Sequence, residues 1–258
     1  MKARFPVPVL VAAYLVGVLG FLLLSSGCGG GGGGGRQVLP GENPLGVDTT
    51  TLTTTTTTTS TTTSTATSTS TTTTTTTATS TATASPAQLL NDGWARMSTK
   101  DYSGAATRFQ AVTTNASATA SQTAEAHNGL GWAAAKSTGI TSGITSFITA
   151  GNLVEARIGL ALAMIQQNDL PSIQNAIGIL EGLGLGDPTA VVTIAHPQIE
   201  VTNAELHASL AYAYFRRNQT GDRTKAKAQI EAARAADSSS TSSVAQIYNL
   251  LVEMGLYS

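Results

Sequence analysis

Hydrophobic positions change their rhythm twice along the chain. Over residues 5–24 they run almost unbroken. Over residues 29–86 they nearly vanish. From residue 87 onward they return at spacings of three and four, the period of a helix with one buried face. In residues 205–217, Leu206, Leu210 and Tyr214 recur this way, with Ala211 and Phe215 one place on. Asp222 suits the N-cap of a helix through Ala236, with Ala226, Ile230 and Ala233 on its inner side. In residues 242–254, Val244, Ile247, Leu251 and Met254 mark another apolar face. Pro171 fits the first turn of a helix reaching about Leu183, with Ile173, Ile177, Ile179 and Leu180 inside. Two short segments, 139–149 and 189–195, break the pattern and predict strands or loops. The expectation is an all-α domain over residues 87–258 behind two segments without a core of their own.

The first of those segments has the order of an export signal. Lys2 and Arg4 precede the apolar run, and Ser25, Ser26 and Gly27 lead into Cys28, the only cysteine. Leu24-Ser25-Ser26-Gly27-Cys28 resembles the lipobox of bacterial lipoproteins, with the leucine one place early. The resemblance implies removal of residues 1–27, diacylglycerol on Cys28 and acylation of the new N-terminus. More than one acyl chain anchors a protein stably, at about 0.8 kcal/mol per buried CH₂. An apolar run of about 20 residues is also long enough for an uncleaved membrane span, and Pro6 and Pro8 weigh against it. Gly29 stands where an aspartate would retain such a lipoprotein at the inner membrane, so the resemblance favours the outer membrane in a two-membrane cell.

Residues 28–86 read as a tether. Gly29 opens a run of seven glycines, and residues 49–84 hold 26 threonines. Glycine has the most backbone entropy to lose. Threonine favours strands, yet it has no apolar partners here, and disorder is expected. A coil of this length spans about 40–45 Å root-mean-square. The Thr/Ser tract has the composition of an O-glycosylated stalk or of a bare linker.

Charge narrows the partners. Of 14 basic residues, 12 remain once Lys2 and Arg4 leave, against 15 acidic ones. That balance argues against nucleic acid, which needs a basic face. One cysteine excludes an internal disulfide and a Cys-based metal site.

The helical region resembles tetratricopeptide repeats in three stretches. In the first, Gly93 is followed by the turn Lys100-Asp101-Tyr102 and by Ala105, Phe109 and Val112. The second has Ala124, Leu130 and Gly131, then Gly151-Asn152-Leu153, then Ala156, Leu160 and Ala163. The third has Ala204, Leu210, Ala211 and Tyr214, then Gly221-Asp222, then Ala226, Ile230 and Ala233. Ala105, Ala156 and Ala226 are 51 and 70 residues apart, so the units are irregular against a family length of about 34. Residues 137–150 and 170–199 are insertions, and residues 242–256 suit a capping helix. An unrelated helical bundle is the alternative.

The resemblance implies a protein- or peptide-binding groove lined by the first helix of each pair. Trp94, Trp132 and Tyr212 take one equivalent place in it, with Asn128, Lys136, Phe215 and Arg216 nearby. Aromatics at that place form a ladder suited to an extended segment, or else they fill space between repeats. His127 and His207 also occupy matching places and read as core or boundary residues. His196, in a loop with Glu200, shows no third ligand. Neither a metal nor another cofactor is expected. No Gly-x-Ser-x-Gly, Walker, His-Glu-x-x-His or Cys-His pattern occurs, so catalysis is not expected. The expected function is a lipid-anchored interaction scaffold of the bacterial cell envelope, helping to assemble or export a larger complex. The alternatives are a surface-displayed structural or adhesive protein on a Thr-rich stalk and, last, an envelope enzyme.

Overall fold

The computed structural model describes residues 84–258. Residues 1–83, with the expected leader, Cys28, Gly29 and the Gly/Thr tract, lie outside the described residues. Nine α-helices follow, and among the described residues there is no strand. They are α1 (Pro86–Ser98), α2 (Tyr102–Thr113), α3 (Ala120–Thr138), α4 (Ile144–Ala150), α5 (Val154–Gln167), α6 (Leu170–Gly182), α7 (Asn203–Arg217), α8 (Asp222–Ala236) and α9 (Ser243–Glu253). Single 3-10 turns lie at Ile140–Gly143 and Pro197–Ile199. Among the described residues, no helix is long and apolar enough to cross a membrane.

Local chemistry sets the helix starts. Ser85, Thr119 and Thr202 cap α1, α3 and α7, each with Gln or Glu three residues on closing a reciprocal capping box. Asp101, Asp169 and Ser242 accept from the first turns of α2, α6 and α9. Asn168 and Asn218 end α5 and α7 in left-handed conformation, which asparagine tolerates better than most residues. Asp222 is the first residue of α8, and Gly221, at φ 84°, holds the cap position expected for it. The Asp222 carboxylate is already engaged by Arg217 and the Gln219 N–H.

Short loops make sequence neighbours pack side by side. α1 packs on α2 and α3, α2 on α3, α3 on α4 and α5, and α5 on α6. α6 packs on α7, α7 on α8, and α9 closes the array against both of them. Each helix thus buries its apolar stripe on the next, and one continuous core results.

Two phenyl rings set the spacing of the first half. Phe109 lies so close to Gly93 on α1 and Gly129 on α3 that a Cβ at either would stand 2.5 Å from its ring. Phe147 is lodged in the same way against Gly131, Gly143 and Gly159. Residues 139–149, expected as strand or loop, are therefore a 3-10 turn followed by α4. Ile140, Ile144 and Phe147 are four and three apart, and burial of Phe147 at 1% exposure overrides the β-preference of the surrounding threonines and isoleucines. The other non-periodic segment, 189–195, is neither helix nor strand.

Candidate functional site: a groove that holds its own connector

Between α6 and α7 the chain runs without an α-helix through residues 183–202. This connector starts at Gly184, φ 93°, and ends at the Thr202 cap. Its side chains sort to two sides: Leu185, Val192 and Ile199 are buried, whereas Val191 is 77% exposed. A buried non-helical segment needs partners for its main chain, and side chains of the helices supply them.

Gln229 on α8 donates to the carbonyls of Leu185 and Gly186 at 2.8 and 3.2 Å. His207 on α7 directs Nε2 at the Ala190 carbonyl, 2.9 Å away, and its other nitrogen meets Gln229. Asn203 holds Val192 by both ends, accepting its N–H at 2.8 Å and donating to its carbonyl at 3.1 Å. Glu155, near the start of α5, accepts the His196 N–H at 2.6 Å.

The His196 ring makes the densest contacts. Its Nδ1 is 2.7 Å from Glu155 Oε2, and its Nε2 is 3.5 Å from Glu125 Oε1. One face stacks on the Trp94 indole, centroids 3.8 Å apart. Trp94 Nε1 donates to Glu125 at 3.0 Å, and Asn128 Nδ2 donates to Glu155 at 2.9 Å. Four residues on, Glu200 pairs with Lys136 at 2.9 Å, and the Lys136 side chain is wholly buried. The 3-10 turn Pro197–Ile199 packs on α1. Glu125, Asn128, Trp132 and Lys136 lie three or four apart on α3 and so share one face.

Electrostatics favour charge on this ring. Burial opposes protonation of His196, but its hydrogen bond to Glu155 and the charges of Glu155 and Glu125 outweigh that, and its pKa is raised. Burial also opposes charge on Glu155. Its bonds from the His196 ring and main chain and from Asn128 win, and its carboxyl is held below the usual range. The ring thus lies between two carboxylates on an indole face, a setting that favours its cationic form.

Glu125, Glu155 and His196 bring donor atoms within 4.8 Å of one another, a grouping able to approach a metal ion. Glu155 Oε2 and Glu125 Oε1 already accept hydrogen bonds, and His196 Nδ1 already pairs with Glu155. A metal there would displace the contacts that hold the connector.

The residues expected to line a groove divide into two groups. Trp94, Asn128 and Lys136 meet the connector or its ligands. Trp132 is fully buried, edge-on to Phe147 at 5.2 Å, and Tyr212 is 1% exposed, with its hydroxyl donating to Asn168. Burial pushes the Tyr212 phenol up to about 12. These two aromatics therefore do not form an open ladder with Trp94. α4 covers Trp132, and the end of α5 meets Tyr212. Arg216 also binds Asn168, and Phe215 lies under Arg223 at 5.7 Å. His127 is half-buried, and burial lowers its pKa.

Glu125, Glu155, Asn203 and Gln229 escaped the sequence reading, as did the partners of His196 and His207. Their signal was weak: polar residues within three or four places of apolar helix positions, with partners far along the chain, such as Leu185 for Gln229 and His196 for Glu125.

Fold and site together define an all-α domain whose helices grip an extended segment of the same chain. Comparison with protein-family models, with curated proteins and with solved structures finds no match.

Proposed function

We propose that this protein is a lipid-anchored binding module of the bacterial cell envelope, with a tetratricopeptide-like head that takes extended polypeptide in its groove. The observation that carries the reading is the bound connector. Gln229, His207, Asn203 and Glu155 hold the main chain of a non-helical segment along the domain. A surface with this row of donors and acceptors is suited to extended polypeptide in general, because main-chain groups are common to all sequences. The pairs α1/α2, α3/α5 and α7/α8 correspond to the three repeat-like stretches. In the first of these pairs, the close contact of Gly93 on Phe109 supports the tetratricopeptide-like reading.

Membrane attachment rests on the sequence. The basic start, apolar run and Ser25-Ser26-Gly27-Cys28 support export and lipidation, and Gly29 supports an outer-membrane destination. A tether spanning about 40–45 Å lets the head search the space beside its membrane. Labelled palmitate incorporated into the full-length chain and lost in Cys28→Ser supports the anchor; no incorporation rejects it.

Photo-crosslinking in the living cell tests the groove. A photoreactive residue at Val191 or Ala195, both exposed on the connector, should capture a discrete set of envelope proteins. The same residue at exposed Thr107 on α2 should not. Equal capture at the two places contradicts a groove-centred function.

A further inference from the structure

We propose that the groove is a receptor for an extended segment of another protein that carries a cationic side chain and, four residues on, a carboxylate, with residues 185–200 as its resident competitor. This rests on the binding-groove reading above and names the partner's chemistry.

Recognition has two layers. The first is main-chain binding at Leu185, Gly186, Ala190, Val192 and His196. It sets an extended path and says little about sequence. The second is chemical. The Trp94 face with Glu125 and Glu155 makes a pocket for a flat cation, filled here by His196. A guanidinium is also planar, stacks on indole and binds carboxylates through two donors, so arginine fits the same place. Lys136, with its side chain at 0% exposure, supplies a desolvated cation for a carboxylate and is met here by Glu200. Apolar residues in the Val192 and Ile199 places complete the match.

The connector is built to compete rather than to seal. It lies at the surface: Val191 is 77% exposed, and Thr193, Ala195 and Pro197 are exposed with it. Its first residues include Gly184 and Gly186, with Gly182 just before them, and Gly184 already has a positive φ that allows a pivot. At the other end Glu200 is held left-handed, at φ 52°, a conformation unfavourable for glutamate that release would relax. As part of the same chain, the connector has a high effective concentration. An outside segment binds well only when it matches the charged pair or when the connector's own hold is weakened.

The test uses the full-length protein and a fluorescein-labelled peptide of residues 184–201, followed by fluorescence anisotropy. Wild-type protein should bind this peptide weakly. His196→Ala or Glu200→Ala in the protein should tighten binding at least tenfold, because each weakens the competitor and keeps the pocket. Neither touches the buried Leu185, Val192 and Ile199, and Glu200→Ala serves alone if His196→Ala fails to fold. A peptide with both His196→Ala and Glu200→Ala should lose at least tenfold on the same variants. Equal binding of the two peptides, or equally weak binding by all three proteins, overturns the proposed chemistry. If the Val191 crosslinks persist in that case, the groove reading stands and only the charged motif is wrong. If they are absent as well, both fall.

Discussion

The imidazole of His196 lies flat on the indole of Trp94, with centroids 3.8 Å apart and planes 10° from parallel. The contact joins α1 to the connector across most of the described chain. Together with Glu155 and Glu125 it latches the connector to α1, α3 and α5.

Removing that ring should cost about 1.5–3 kcal/mol, the range for hydrogen bonds to charged groups. The effect should depend on pH. His196 has a raised pKa, so its contribution is complete below the ordinary imidazole value of about 6.5 and is lost as pH rises through the raised value. Glu155 has a lowered pKa, so its contribution is complete above the ordinary carboxylate value of about 4.3 and is lost as pH falls through the lowered one. The gap in Tm between wild type and His196→Ala should therefore be widest between roughly pH 4.5 and 6.5. Circular dichroism melts across pH measure it, and a gap unchanged at alkaline pH contradicts a charged ring.

Lys136 and Glu200 should respond unequally to mutation. Lys136 has a fully buried side chain, whereas that of Glu200 is 38% exposed. Glu200→Gln leaves a buried ammonium without its countercharge and should cost about 1–3 kcal/mol. Lys136→Met leaves a carboxylate that water can reach and should cost less than about 1 kcal/mol. Urea unfolding of the two variants checks the order, and the reverse order contradicts burial of Lys136.

Two glycine-to-alanine changes should have opposite signs. In a helix, alanine is favoured over glycine by about 0.5–1 kcal/mol. At Gly178 on α6 a Cβ meets nothing within 4 Å, so Gly178→Ala should stabilise by about that amount. At Gly159 the Cβ would collide with the Phe147 ring, and overpacking of about 1–3 kcal/mol should outweigh the helix preference. Gly159→Ala combined with Phe147→Leu should recover part of the loss relative to the sum of the single changes, as a double-mutant cycle reads it.

Trp132 and Trp94 should separate core from groove. Trp132→Ala empties a fully buried site and should cost about 3–5 kcal/mol, a fall in Tm of roughly 6–20 °C for a domain of this size. Trp94→Phe keeps an aromatic ring against Phe109 and gives up the hydrogen bond to Glu125. It should cost about 1 kcal/mol. Similar melting points for the two variants contradict this division.

The helices were legible in the sequence because their signal is local. Spacings such as Val244, Ile247 and Leu251 specify a helix without the rest of the fold, and the start read at Asp222 fell within one residue of the Gly221 cap. The α4 segment misled because isoleucine and threonine favour strands. What makes it helical is the glycine-walled space for Phe147, formed by α3, α5 and the turn between α3 and α4. The groove was legible only in part. All five residues are buried, but Trp94, Asn128 and Lys136 meet the connector or its ligands, whereas Trp132 and Tyr212 meet other helices. The inserted α4 covers Trp132 and the end of α5 meets Tyr212, and helical period carries no information about what a distant segment will cover. Nothing local marks His196 as the partner of Glu125, Glu155 and Trp94, since those contacts form only once α1, α3 and α5 are packed.

Residue-resolved hydrogen exchange by NMR tests the seated connector most directly. The Val192 and His196 amides donate to Asn203 and Glu155, so both should exchange far more slowly than an unstructured chain. Glu155→Gln should speed His196 more than Val192. Exchange of both amides at the unprotected rate in the wild-type protein would mean that the connector is not seated on the helices, and the site would not exist as described.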